Sequence, residues 1–165
     1  LNPDLPFSAG DARRSAWRSA VFAAAAVLAA LGAAPARASL GDSLPSVEAD
    51  RLQLRATAVH ANRAAYTVHE LTLENKGIVR EYVSPAGTVF AVTWHVPLMP
   101  NLKQLLGQHF EALSQSQDRE RRGMRHMELR TDEVVLVNHG RVRDFNGAAY
   151  LIHGLPSGVS VDDIK

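Results

Sequence analysis

Ile78-Val-Arg-Glu-Tyr-Val83, Ser84-Pro-Ala-Gly87 and Thr88-Val-Phe-Ala-Val-Thr-Trp-His95 follow one another without interruption. The two outer runs are rich in β-branched and aromatic residues. In the second, Phe90, Val92 and Trp94 recur at period two, which sets them on one face of a strand. Between the runs, Pro85 presets φ for a turn corner and Gly87 is free to take a positive φ. The reading is strand, turn, strand. Upstream, residues 64–73 carry Tyr66, Val68, Leu71 and Leu73 with Thr67 and Thr72 between them, and Glu74-Asn75-Lys76-Gly77 is a second turn signal. The whole stretch predicts an antiparallel β-meander.

The pattern changes after His95. Pro97 and Pro100 lack the donor that a central strand needs. Asn101 then stands three residues before Gln104, as in a capping box. Leu102, Leu105, Leu106, Phe110 and Leu113 recur at the three-to-four spacing of one helical face. The spacing predicts one long amphipathic helix ending by Gly123, although Gly107 costs it up to about 1 kcal/mol relative to Ala. Strands return at Arg125–Arg130, Glu133–Val137, Val142–Phe145 and Ala149–Ile152. Asn138-His-Gly-Arg141 reads as a turn, and Asn146-Gly147 is the strongest short hairpin signal in the chain. Strands, one helix and C-terminal hairpins predict an α+β domain with the helix on an antiparallel sheet.

The amino-terminal third has a different character. Arg13, Arg14 and Arg18 precede an apolar, Ala-rich run from Ala20 to Leu31; Gly32 and Pro35 break it, and Ala36-Arg-Ala38 places small residues where a signal peptidase reads. This is the order of a secretory signal peptide, cleaved between Ala38 and Ser39. A membrane-spanning helix needs about 20 apolar residues, and this run is shorter. Ser15-Ala-Trp17 continues the two arginines poorly for the twin-arginine route, so the general secretory route is expected. The first residue is Leu rather than Met, and residues 1–10 carry no weight in this reading. The expected division is residues 1–38 as leader, 39–53 as a lead-in with a helical turn from Ser46, and 54–165 as a single domain.

The leader takes four of the chain's 18 basic residues and two of its 17 acidic ones, leaving 14 against 15. The remainder is therefore near neutral, which argues against nucleic acid as a partner. It has no cysteine, so neither disulfides nor a lipid-modified cysteine are open to it. A domain of this length buries roughly two-thirds of its unfolded surface, and its stability has to come from an ordinary core.

Ser46-Val-Glu-Ala-Asp-Arg51, Glu81-Tyr-Val-Ser-Pro-Ala-Gly87 running into Trp94, Leu102-x-x-Leu-Leu-Gly107, Gly140-Arg-Val-Arg143 and Leu155-Pro-x-Gly-Val-Ser160 together form a pattern. It resembles a small exported bacterial family known only as a domain of unknown function, and covers nearly all of residues 39–165. The resemblance implies an envelope or secreted protein, periplasmic or extracellular. It carries over no catalytic residue.

Specific chemistries find little support. Seven histidines (60, 69, 95, 109, 126, 139 and 153) invite a metal, but His69-Glu70 lacks the second histidine of a zinc-peptidase helix, Leu73 standing in its place. No other pair has a short ligand spacing. No G-x-S-x-G elbow is present, and Ser84 sits before a proline in a turn. Glu70, Glu74 and Glu81 could be nominated as paired carboxylates, yet they alternate with apolar residues as on a solvated strand face. Arg119, Arg121, Arg122, Arg125 and Arg130 are interrupted by Asp118, Glu120 and Glu128, the mixed pattern of a solvated helix end, with an acidic lipid or polysaccharide surface as the alternative partner.

The expectation is therefore a non-catalytic binding module of the cell envelope, contacting another envelope protein or a cell-surface polymer, with no cofactor or metal. The alternative is a small periplasmic hydrolase with an unrecognised site. One helix covers part of one sheet face, so an interaction face is expected on the other. Val79, Val83 and Val89 are expected on it, with Thr67, His69, Glu81 and Thr93 alternating among them. The opposing expectation is that the tail strands or the lead-in fold over that face.

Overall fold

The computed structural model describes residues 40–115 and 126–164. Seven antiparallel strands form one sheet: β1 (Thr57–Asn62), β2 (Thr67–Thr72), β3 (Ile78–Val83), β4 (Val89–Val96), β5 (His126–Arg130), β6 (Val134–Arg141) and β7 (Asp144–Leu151). Their order across the sheet is β1-β2-β3-β4-β7-β6-β5. It consists of two meanders, each built from neighbours in sequence, that meet where β4 pairs with β7. Among the described residues three short α-helices accompany them, α1 (Pro45–Gln53), α2 (Leu102–Leu106) and α3 (His109–Gln115), with a 3-10 turn at Val161–Asp163. The architecture is α+β. Among the described residues no helix is long and apolar enough to cross a membrane. The expected leader, with Ala36, Ala38 and Ser39 at its expected cleavage site, falls outside the described residues.

The predicted first meander matches β2, β3 and β4 closely, and its turns form as read. The N–H of Gly87 donates to the Ser84 carbonyl at 2.9 Å, and that of Lys76 to the Leu73 carbonyl at 2.9 Å. Strand β1 precedes them and was not foreseen. Ala58, Ala61 and Asn62 are poor strand formers, and its six residues are held by register with β2 instead.

One helix is replaced by two. Asn101 caps α2 by accepting the Gln104 N–H at 3.3 Å. The reciprocal half of the capping box does not form, because the Gln104 amide is committed elsewhere, donating to Asp50 at 2.7 Å. Gly107 then adopts φ 51°, ψ −124°, a conformation that no helix contains and that favours glycine. α3 starts on a new axis after it. The expected helix end at Gly123 falls outside the described residues.

The Asn146-Gly147 hairpin is also corrected. Both residues lie inside β7, and the tight turn is two residues long, Val142-Arg143, between Arg141 and Asp144. Gly147 stands opposite Trp94, and a Cβ there would lie 2.2 Å from the indole. The glycine is present to admit a ring, not to turn the chain. For the same reason β6 runs through Asn138–Arg141, where a turn was expected.

Each face has its own cover. On the helix face, Leu71, Val79, Val92, Trp94, Val96, Leu136 and Ala149 pack against Leu40, Val47, Leu105, Leu106 and Leu113. The lead-in belongs to this core: Ser43 bridges Thr88, Leu40 N–H donates to the Leu105 carbonyl at 3.0 Å, and α1 crosses the face beyond. The opposite, tail face carries Tyr82, Phe90 and Ala91, onto which Leu155, Val159 and Ile164 fold. Phe90 does not share a face with Trp94, as period two suggested. A bulge at Tyr82/Val83 leaves Phe90 unmatched in the register and turns it to the tail side.

Val79, Val83 and Val89 are the second consequence. They are 1%, 4% and 1% exposed and belong to the helix-face core. The expectation of an open face built on them fails because α1 and α2 cover what one helix could not. Val79, Glu81 and Val83 alternate on the covered side, and Thr93 lies on the other.

Candidate functional site

Three places hold polar groups in arrangements that strand alternation alone does not explain. The first is inside. Asp50 projects from α1 and Glu81 from β3, and each is 1% exposed. Gln104 of α2 donates to Asp50 Oδ1 at 2.7 Å. Among the described residues Asp50 Oδ2 and both Glu81 oxygens meet no donor, and the two carboxyl groups act on each other. Two buried carboxylates side by side repel, so the pair is attractive only with a proton between them. Burial raises both carboxyls, Asp50 and Glu81 alike, and the charge of Asp50 raises Glu81 further. Gln104 ties α2 to Asp50 of α1, and a proton shared between Asp50 and Glu81 would clamp both helices to the sheet. At this burial neither group can touch a substrate.

The second place is a row across the tail face. Register aligns His126 of β5 with His139 of β6, His139 with Asn146 of β7, and Asn146 with His95 of β4. His126 and His139 bring their Nδ1 atoms to 2.8 Å. Asp144, one step along β7 on the same face, accepts from the Asn146 amide at 2.7 Å and lies 3.3 Å from His95 Nε2. Among the described residues no three His, Cys, Asp or Glu side chains converge as a complete metal shell.

The third place is the β1 edge. All six residues of β1 are exposed. The N–H of Arg63 donates to the Tyr66 carbonyl at 2.8 Å, which fixes the alternation of the hairpin. Thr57, Val59 and Ala61 turn their main-chain groups to β2, and Ala58, His60 and Asn62 turn theirs outward. β1 carries no charge and no proline, the usual devices that protect an edge. Beneath it on the tail face lies a groove of about 650 Å³ lined by Val59, Arg63, Tyr66, Glu70, Arg80 and Asp163 among others. Arg80 and Glu70 close on each other at 2.8 Å. His60 stands opposite His69 with ring centroids 5.9 Å apart, and burial, with His60 beside it, holds the His69 imidazole below its usual value.

An apolar groove of about 340 Å³ also opens between α2, α3 and the β5–β6 pair, lined by Leu102, Phe110, Leu113, Met127 and Leu129. Lys103 and Ser114 also line it, with no histidine or carboxylate beside them in the lining. Glu70 is tied to Arg80, Glu81 is sealed in the core, and Ser84 Oγ accepts the Thr88 N–H at 3.3 Å within its turn. The nominated carboxylates and serine are thus not brought together.

A family profile described as a protein of unknown function (DUF2844) matches residues 36–164. The chain belongs to the DUF2844 family. No curated protein and no solved structure matches it. The DUF2844 match takes in the lead-in as well as every strand, in keeping with the place of Leu40 and α1 in the core. Sequence reasoning missed the Asp50–Glu81 clamp and the His126–His139 contact. Their members stand 31 and 13 residues apart, and only register and helix docking join them.

Proposed function

We propose that this DUF2844 chain is an exported, non-catalytic interaction module whose partner is an extended segment of another envelope polypeptide, added as a strand along β1. The observation that carries the proposal is the unprotected edge. Ala58, His60 and Asn62 offer outward N–H and C=O groups on a strand with no charge or proline. Strand addition takes its affinity from such main-chain groups and its specificity from pockets that receive alternate side chains. The groove below β1 supplies the pockets, and Arg63 favours an acidic side chain there. A cell-surface polymer has no matching ladder of donors and acceptors, which is why a polypeptide is preferred. A hydrolase is disfavoured because the buried Asp50–Glu81 pair cannot reach a substrate.

The test is affinity purification of the tagged protein from its native envelope, alongside Ala58→Pro and His60→Pro. Each proline removes one outward donor and leaves the β1–β2 ladder intact. Both variants should keep the thermal midpoint and lose the partner. A partner retained by both would overturn the proposal.

A further inference from the structure

We propose that His126 and His139 form a chelate for a divalent transition metal, selective for Cu(II) over Zn(II). The two residues are direct cross-strand neighbours, and both side chains are exposed. The two-residue β6–β7 hairpin turns the main-chain groups of His139 to β7, so His126 and His139 form a non-hydrogen-bonded pair, the closer of the two cross-strand geometries. The Nδ1 atoms already stand 2.8 Å apart. Without metal one Nδ1 must carry a proton and donate to the other. With metal, the one Nδ1 proton moves to the Nε2 of its own ring, the other ring already carrying its proton there, and modest ring rotations direct both Nδ1 lone pairs to one point off the N–N line.

A chelate that keeps the nitrogens near this spacing favours one metal geometry. Imidazole–metal bonds run near 2.0–2.1 Å, so nitrogens this close subtend roughly 85° at the ion, whereas a tetrahedral centre needs them about 3.3 Å apart. An angle near 90° suits tetragonal Cu(II) or Ni(II), and Cu(II) binds nitrogen sites more tightly than its neighbours in the series. No third His, Cys, Asp or Glu among the described residues joins the pair, so the remaining positions are left to water or an incoming ligand. The other cross-strand pair, His60 and His69, makes a tilted ring contact at 5.9 Å and serves as an internal comparison.

Titration of the purified protein with Cu(II) and separately with Zn(II), read by calorimetry and by electron paramagnetic resonance, tests the site. The expected result is one Cu(II) equivalent with two-nitrogen superhyperfine structure. His126→Gln and His139→Gln should each weaken it at least tenfold, His60→Gln should not, and Zn(II) should bind at least tenfold more weakly. A Cu(II)-dependent rise in melting temperature should vanish in the double variant, while its metal-free melting stays that of the parent. Cu(II) affinity unchanged in both single variants would overturn the proposal, and so would Zn(II) binding as tightly as Cu(II).

Discussion

The indole of Trp94 lies against the bare Cα of Gly147 in the neighbouring strand, and its Nε1–H donates to Asn138 Oδ1, one strand further on, at 3.0 Å. Trp94 and Asn138 are both buried. A methyl group at position 147 would lie 2.2 Å and 2.4 Å from two indole carbons. Gly147→Ala should therefore cost at least the 1–3 kcal/mol, roughly, of overpacking. Asn138→Leu should cost about 1–3 kcal/mol by leaving the indole N–H without an acceptor. Urea unfolding followed by Trp fluorescence measures both.

The Asp50–Glu81 clamp makes stability depend on pH in an unusual direction. Native Glu81 is pushed up to about 8 and Asp50 to about 6, so between the ordinary carboxyl range and those values the folded state binds more protons than the unfolded. Stability must then fall as pH rises through that window. The clamp's contribution is fully present near pH 4 and lost by about pH 8. Glu81→Gln keeps a donor for Asp50 and removes one titrating group. Its stability should exceed the parent's at pH 8 by more than at pH 5, the difference being at least about 1.4 kcal/mol, the worth of one pKa unit. Denaturation at the two pH values checks it.

Leu106 is buried at 1% exposure and Phe110 is only half-buried beside the apolar groove. Leu106→Ala should cost about 2–5 kcal/mol, and Phe110→Ala should fall below that. Gly107→Ala separates the two readings of this region by sign. In one continuous helix it would add up to about 1 kcal/mol; at φ 51° it should destabilise instead. Chemical denaturation of the three variants gives the answer.

Export has its own measurement. The protein recovered from culture supernatant or periplasm should begin at Ser39, by intact mass or amino-terminal sequencing. A chain recovered from membranes with residues 1–38 still attached would count against the signal-peptide reading.

The β2–β4 meander was legible because Ile78–Val83 and Val89–Val96 combine strand-forming residues with turns whose chemistry is local. What misled was residues with two competing uses. Asn146-Gly147 has the chemistry of a turn, but the bulk of Trp94 across the β4–β7 pairing claims the glycine. Leu102 to Leu113 has the period of one helix, but Gly107 lets the chain bend so that both segments reach the sheet. The period-two face of β4 was right for Val92 and Trp94 and failed at Phe90, where an unmatched residue leaves no mark in composition. Nothing in the sequence joins Asp50 to Glu81, because that contact depends on where α1 lands.

The join between β4 and β7 has a kinetic side. Each meander closes through short loops, and such hairpins form in about 1–10 μs. The join brings together Ala91 and Tyr150, 59 residues apart, and non-local pairing of this kind is slow. The two halves should therefore exist for a time with the inner edges of β4 and β7 bare. Those edges include Val92, Trp94 and Ala149, apolar residues able to recruit a strand from another chain. The interval before the halves meet is when this protein is most exposed to aggregation, and a chain emerging unfolded into a crowded compartment would pass through it each time.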